Sequence, residues 1–467
     1  MPRALTSALC AALIFFNAAA QAEAEGFGLQ ACIATALQKN RRMELSGAAL
    51  AMAEAQYQQA MSAFYPSLDI EVNAQRADQD RTFTANTTIN LPPTVSGPLS
   101  AAAGQPVTAL PLDLNVKLFD RDILTGSINL TYPIFTGGRR SAMIGQAEKN
   151  LQIAEVGRQK SQLEIIRDVK KYYYGARFAL EMEKLAADTL ARFEVLEELT
   201  ERLFQHGSLK VKKTDYLRTK TATALTRSML TEASYAREMA HEALNNVMGY
   251  DWSHQVRIEH DQEEFKLNSE LAQLIHSAQT FNPDVQQLRL AVSASDDKIS
   301  EARSGYFPAI GFKASAYRVW NEFDSGLVND DNREGWTIGI GLQWNLFDGF
   351  RTSGKVSEAK ALQRQLENKQ ILLDQATALQ IKQQFLKLRS FDRQVEDNRA
   401  AHRYARENRE LHIRAYQEEL VETEDVIQAQ IVESFAHSAY FRAKNQLALA
   451  LSALEYLVGG RIPELKH

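Results

Sequence analysis

The side chains that could do chemistry are present in this chain but do not converge. None of the nine histidines falls in an HExxH or other paired metal-ligand spacing, and His241-Glu242 has no second histidine four residues on. His402 and His412, ten apart in a helical run, read as solvated positions. Gly354-Lys355 lacks the earlier glycine of a phosphate-binding loop, and Gly339 and Gly341 fall inside a strand pattern, so no nucleotide site is expected. The nine methionines are scattered, which leaves no soft-metal relay. With no acid, base and nucleophile that could meet, the chain reads as a non-enzyme without a cofactor. What remains is charge. An acidic stretch runs from Tyr416 through Glu418, Glu419, Glu422 and Glu424 to Asp425, and a basic one holds Lys210, Lys212 and Lys213. Taken alone, the acidic stretch is the solvated turn of a coiled coil.

Two kinds of element would position these turns. In 336–351, WTIGIGLQWNLFDGFR, the residues Trp336, Ile338, Ile340, Leu342, Trp344 and Leu346 alternate with Thr337, Gly339, Gly341, Gln343 and Asn345, the period of a strand with one apolar face. Trp336 and Trp344 are eight residues apart, about 26 Å along a strand, close to the apolar band of an outer-membrane barrel with an aromatic at each edge. A strand of a soluble sandwich fits the stretch equally well. Recurrence separates the two readings. Residues 124–134 alternate Leu124, Ile128, Leu130, Tyr132 and Ile134 with Thr125, Ser127, Asn129 and Thr131, then exit through Phe135-Thr136-Gly137 as the later stretch exits through Phe347-Asp348-Gly349. Phe312 and Trp320 are again eight apart on one face, and with Tyr132, Trp336 and Trp344 they make two aromatic girdles. Arg318 interrupts that face beside Trp320, where it can snorkel to an interface.

The other element is a long helix. Proline-free runs carry apolar residues at helical spacing, such as Leu163, Ile166, Val169, Tyr173, Ala176 and Leu180. The first run, from Arg139 to about Gln205, spans about 100 Å. His206-Gly207-Ser208 then turns the chain into a second long helix.

The chain divides accordingly. Residues 1–22 read as a secretory signal peptide, with Arg3, an apolar run and small residues at Ala18, Ala20 and Ala22. Arg3 is its only charge, so removal takes the net charge from -5 to -5 - 1 = -6. Residues 23–249 form a first repeat: a helix from about Leu29 to Phe64, strand 67–79, an irregular loop 80–121, strand 122–136 and a long helical hairpin 138–249. The loop holds Pro92, Pro93, Pro98, Pro106 and Pro111. After a connector at 250–268, residues 269–467 repeat the series with a helix, strand 309–321, strand 334–348 and hairpin 350–459. Leu29, Asn40, Tyr65 and Pro66 match Leu271, Asn282, Phe307 and Pro308 at one constant offset. Asp215, Leu244 and Gly249 match Asp425, Leu454 and Gly459 at another.

Composition excludes several classes. The balance of 53 basic against 58 acidic residues gives no basic surface for nucleic acid. Cys10 lies in the leader, which leaves Cys32 alone and rules out an intramolecular disulfide. No other stretch holds 18 consecutive apolar residues, so membrane contact would fall to strands. Four strands cannot close a membrane barrel, since about eight are needed, and each unpaired backbone group in lipid costs several kcal/mol. The chain must therefore associate, and three copies supply twelve strands.

On Tyr65-Pro66, the Tyr132 to Gly138 strand exit, Phe307-Pro308, the Trp344 to Gly349 exit and the hairpin tips, the chain resembles the TolC-type outer membrane efflux protein family over essentially the whole mature length. The resemblance implies a mostly α fold with a transmembrane β-barrel: a long α-helical barrel continuous with a twelve-stranded trimeric β-barrel, four strands per chain. It implies a passive exit duct in the bacterial outer membrane, its helical barrel in the periplasm, serving a tripartite efflux pump or a type I secretion system. Implied partners are a homotrimer, a periplasmic adaptor (membrane fusion protein), an inner-membrane transporter of RND, ABC or MFS type, and outer membrane lipid. Implied aperture and docking residues are Tyr416, Glu424 and Asp425 at one tip and Gly207 and Asp215 at the other. Three Asp425 carboxylates around a pore axis would repel one another and attract cations. The tips depart from the family pattern at Glu419 and Val421, and Asp215 lies two residues further from Phe204, so a simpler clasp between the Lys210–Lys213 cluster and the acidic tip is expected. The alternative function is a periplasmic coiled-coil scaffold without channel activity.

Overall fold

A computed structural model describes residues 26–208, 211–251, 257–258, 269–321, 331–418 and 420–462. The expected signal peptide, Lys210, Glu419 and most of the 250–268 connector lie outside them. The chain divides into two compact units. One takes residues up to Glu54, then Lys149–Ser293 and the chain from Arg364 onward; the other takes Ala55–Glu148 and Ala294–Gln363.

The first unit is helical and internally repeated. Its helices are drawn from α1 (Leu29–Lys39), α2 (Arg41–Met61), α4 (Arg139–Gln205), α5 (Lys213–Met248), α6 (Leu271–Phe281), α7 (Pro283–Arg303), α8 (Arg351–Gln417) and α9 (Thr423–Leu457). α4 and α8 are each 67 residues long. A short parallel pairing of β1 (Gly26–Phe27) with β6 (Arg257–Ile258) completes the unit. The helix expected over 29–64 is broken at Asn40, whose backbone is extended. The reason is tertiary: the Asn40 amide donates to the Val247 carbonyl at 2.7 Å while its Oδ1 receives the Arg42 N–H that opens α2. Asn282 does the same, donating to the Leu457 carbonyl at 2.9 Å and receiving the Asp284 N–H. Two equivalent cores form beside these clamps. Cys32, Ala36, Val169 and Leu244 are buried in one; Leu274, Ala278, Ile381 and Leu454 are their counterparts in the other.

The second unit holds a four-stranded antiparallel sheet of β2 (Ser67–Arg76), β5 (Asp122–Phe135), β7 (Ala309–Trp320) and β8 (Glu334–Gln343), in the order β2-β5-β7-β8. Register aligns the alternating residues into rows across all four strands. Leu68, Leu130, Ala314 and Ile338 make one row, and Ile70, Ile128, Ala316 and Trp336 the next. The period-two pattern thus becomes one apolar sheet face. Among the described residues β2 and β8 are the open edges.

Two expectations fail in this unit. Strand 334–348 ends at Gln343. Beyond it Trp344 Nε1 donates to the Tyr306 carbonyl at 3.2 Å, Asp348 receives the Thr352 N–H at 2.9 Å, and Phe350 takes a left-handed φ of 68°. The alternation is kept in sequence, but the helix cap claims the backbone. The irregular loop expected at 80–121 is a second hairpin, β3 (Arg81–Asn90) paired with β4 (Ala109–Phe119), spanned by α3 (Pro93–Ala103). Three of its prolines sit where they are tolerated, Pro92 and Pro93 at the helix start and Pro111 in a strand of a two-stranded ribbon, while Pro98 falls inside α3.

Candidate functional site

The tips of the two helical hairpins are built alike. Asp215 and Asp425 each occupy the third position of a helix, where the carboxylate receives a backbone N–H from the residue before it: Lys212 N–H at 2.9 Å for Asp215, Glu422 N–H at 3.0 Å for Asp425. This is a capping-box geometry, and it explains why the two aspartates occupy matching places in the repeat. Tyr416 is buried with Phe193, Leu196 and Val426. Its hydroxyl lies 2.9 Å from Thr423 Oγ1 and 3.4 Å from Thr200 Oγ1, which ties both tips together. Gly207 turns the first tip with φ 73°, and Phe204 stacks on Tyr216 at 6.0 Å.

Lys210 and Glu419 of the expected clasp lie outside the described residues; among the described residues an arginine joins the tips. The ion pair observed between the tips joins Arg218 Nη1 to Glu424 Oε2 at 2.5 Å, with Asp215 Oδ1 at 3.9 Å from the same nitrogen. Arg218 was legible as the i,i+3 partner of Asp215, but the neighbouring lysine cluster is the more conspicuous sequence feature. His402 is a correction. It is not solvated: its side chain is 21% exposed and its ring stacks on His437 at 3.9 Å.

On the sheet, Tyr132 and Phe312 share a row with Ile340. Trp320 lies at the opposite end of β7, its ring over Gly126, where a Cβ would come within 3.1 Å, and the Arg318 guanidinium sits 5.6 Å from that ring. Trp336 pairs with Ala316, four residues inward of Trp320, and Trp344 lies past the end of β8, so the aromatics are staggered rather than level. The apolar face is uncovered, with Trp336 73% and Ile340 70% exposed. Among the described residues no helix is long and apolar enough to cross a membrane and no cluster could hold a metal ion.

Two long helical hairpins continuous in sequence with a sheet that bares one apolar face define a protein of the channel-tunnel class. Solved structures share this fold. The Campylobacter jejuni CmeC outer membrane channel is 15% identical with a TM-score of 0.75, covering 92% of this chain and 85% of its own. The Vibrio cholerae outer membrane protein VceC is 18% identical with a TM-score of 0.73, covering 93% and 97%. The Neisseria gonorrhoeae MtrE outer membrane channel in its open state is 17% identical with a TM-score of 0.70, covering 92% and 89%. No curated protein sequence matches. The chain belongs to the outer membrane efflux protein family, whose model matches residues 32–250 and 274–460. It is an outer membrane exit channel for efflux.

Proposed function

We propose that three copies of this chain close a twelve-stranded barrel in the outer membrane and act as the passive duct of a tripartite exporter, its hairpin tips forming the periplasmic aperture. The observation that carries this is the β2-β5-β7-β8 sheet, with one uncovered apolar face and two open edges in a single chain. Lipid satisfies the face, and edge-to-edge pairing of copies satisfies the backbone. A periplasmic adaptor and an inner-membrane transporter of RND, ABC or MFS type supply the opening and the energy, and the duct itself catalyses nothing. Asp425 and Glu424 set the charge of the aperture. Tyr416 holds the tip core beneath them, while Asp215 and Gly207 shape the first tip.

Single-channel conductance in planar bilayers tests this with wild type beside Asp425→Asn, which removes charge but keeps an oxygen for the Glu422 N–H. Small cation-selective openings that millimolar divalent cations block in wild type but not in the variant are the expected result. Protein that extracts without detergent and forms no channel would replace the duct by the coiled-coil scaffold.

A further inference from the structure

Between α4, α8 and α9 lies a polar layer that the duct itself does not require. Glu433 of α9 is 3% exposed at its side chain. Its Oε2 meets Arg192 of α4 at 2.5 Å and Arg409 of α8 at 3.4 Å, and its Oε1 lies 3.7 Å from His402 Nε2 of α8. His402 stacks on His437 of α9 with an interplanar angle of 6°, and His437 in turn rests 4.7 Å from Phe441. The other charged groups acting on the pair are Glu181 of α4 and Arg406 of α8. Glu181 is paired with Lys184, and Arg406 with Glu410.

With both imidazoles neutral, one buried carboxylate already faces two arginines. Protonation of both would set four positive groups against Glu433, two of them face to face at ring-stacking distance. Burial is the main influence holding both imidazoles below the ordinary histidine value of 6.5; Glu433 acts against it, and His402 and His437 also oppose each other's charging. A histidine whose folded-state value is depressed contributes stability that is complete above 6.5 and is lost as pH falls toward the depressed value. Arg192 lies thirteen residues before the end of α4 at Gln205, ~20 Å along the helix. Its neighbour Phe193 belongs to the tip core with Tyr416.

We propose that the stacked His402–His437 pair is a proton-operated latch on the helical hairpins, closed when both rings are neutral and released in mildly acidic surroundings, so that acidification loosens the tip. This rests on the reading of the tips as the aperture. Hydrogen exchange of the detergent-solubilised full chain, corrected for intrinsic rates and compared at pH 7.5 and 5.5, reads the latch without reference to conduction; bilayer recordings at the same two values read the aperture. In wild type, exchange over 396–412 and 427–441 should rise about tenfold at the lower pH, and open probability should rise with it. His437→Phe, which keeps a stacked ring without a titrating group, should abolish both responses, and His402→Asn serves as the second variant. Unchanged wild-type exchange between the two pH values, or an equal rise in both variants, overturns the latch. A histidine-dependent rise in exchange with unchanged conduction supports the latch and overturns the aperture reading.

Discussion

Asp425 joins two properties in one side chain, a formal charge at the tip and an acceptor for the N–H that opens α9. Removing the whole carboxylate would confuse loss of charge with loss of a cap worth about 1 kcal/mol, which is why the asparagine variant is the informative one. Arg218 and Glu424 form the cross-tip ion pair, but their side chains are 52% and 61% exposed. An exposed pair is worth roughly 0–1 kcal/mol. Arg218→Ala should therefore raise the open fraction of reconstituted channels by no more than about fivefold, measured in low salt where screening is weakest. A larger rise would mean that Arg218 holds more than Glu424. The sequence displayed the charge at the tips but not its pairing, because Arg218 reaches Glu424 only after two hairpins pack together. His402 is the same case: its partner His437 lies on another helix. Cys32 is simpler, since its counterpart in the repeat is the buried Leu274 and burial pushes its thiol up to about 11. It serves as a small apolar core residue and stays unreactive at neutral pH.

Among the elements, the ends of α5 and α9 show how the repeat is used. Gly249 and Gly459 follow these helices with φ of 80° and 73°, and a Cβ at either would press on the backbone of Lys39 or Phe281, to 2.7 Å and 2.3 Å from the carbonyl oxygens. Both the left-handed backbone and the close approach require glycine here. Gly459→Ala should destabilise the helical unit by at least about 1–2 kcal/mol, read as a lower thermal midpoint in circular dichroism; an unchanged midpoint would refute the packing described. The equivalence of the two glycines was visible in the constant offset. Their purpose was not, because the helix each one contacts lies far away in sequence. The hairpin of β3 and β4 was missed for a different reason. Five prolines between residues 80 and 121 outweighed the alternation of Phe83, Ala85, Thr87 and Ile89, although a two-stranded ribbon accommodates proline without breaking a sheet.

At the scale of the whole molecule, the two faces of the sheet set opposite tolerances. Ile128 lies inside the apolar face, in the row of Ile70, Ala316 and Trp336. A lysine there costs about 2–4 kcal/mol at mid-bilayer depth, and a lumen-facing lysine costs far less. Ile128→Lys should deplete heat-modifiable oligomers from the outer membrane fraction on semi-native gels, while Thr337→Lys on the other face should not. Equal loss in both variants would mean that neither face meets lipid. The sequence by itself determined the two long helical hairpins and the four strands of the sheet, that the series occurs twice, and which face of each strand is apolar. Periodicity, turn chemistry and composition are local properties that survive without neighbours. Only the tertiary structure decided where β8 stops, how its tryptophans fall out of level, that Arg218 reaches Glu424 across the tips, and that two histidines meet over a buried carboxylate. Those outcomes depend on which distant groups compete for the same backbone cap, cation or cavity, and no local pattern records that competition.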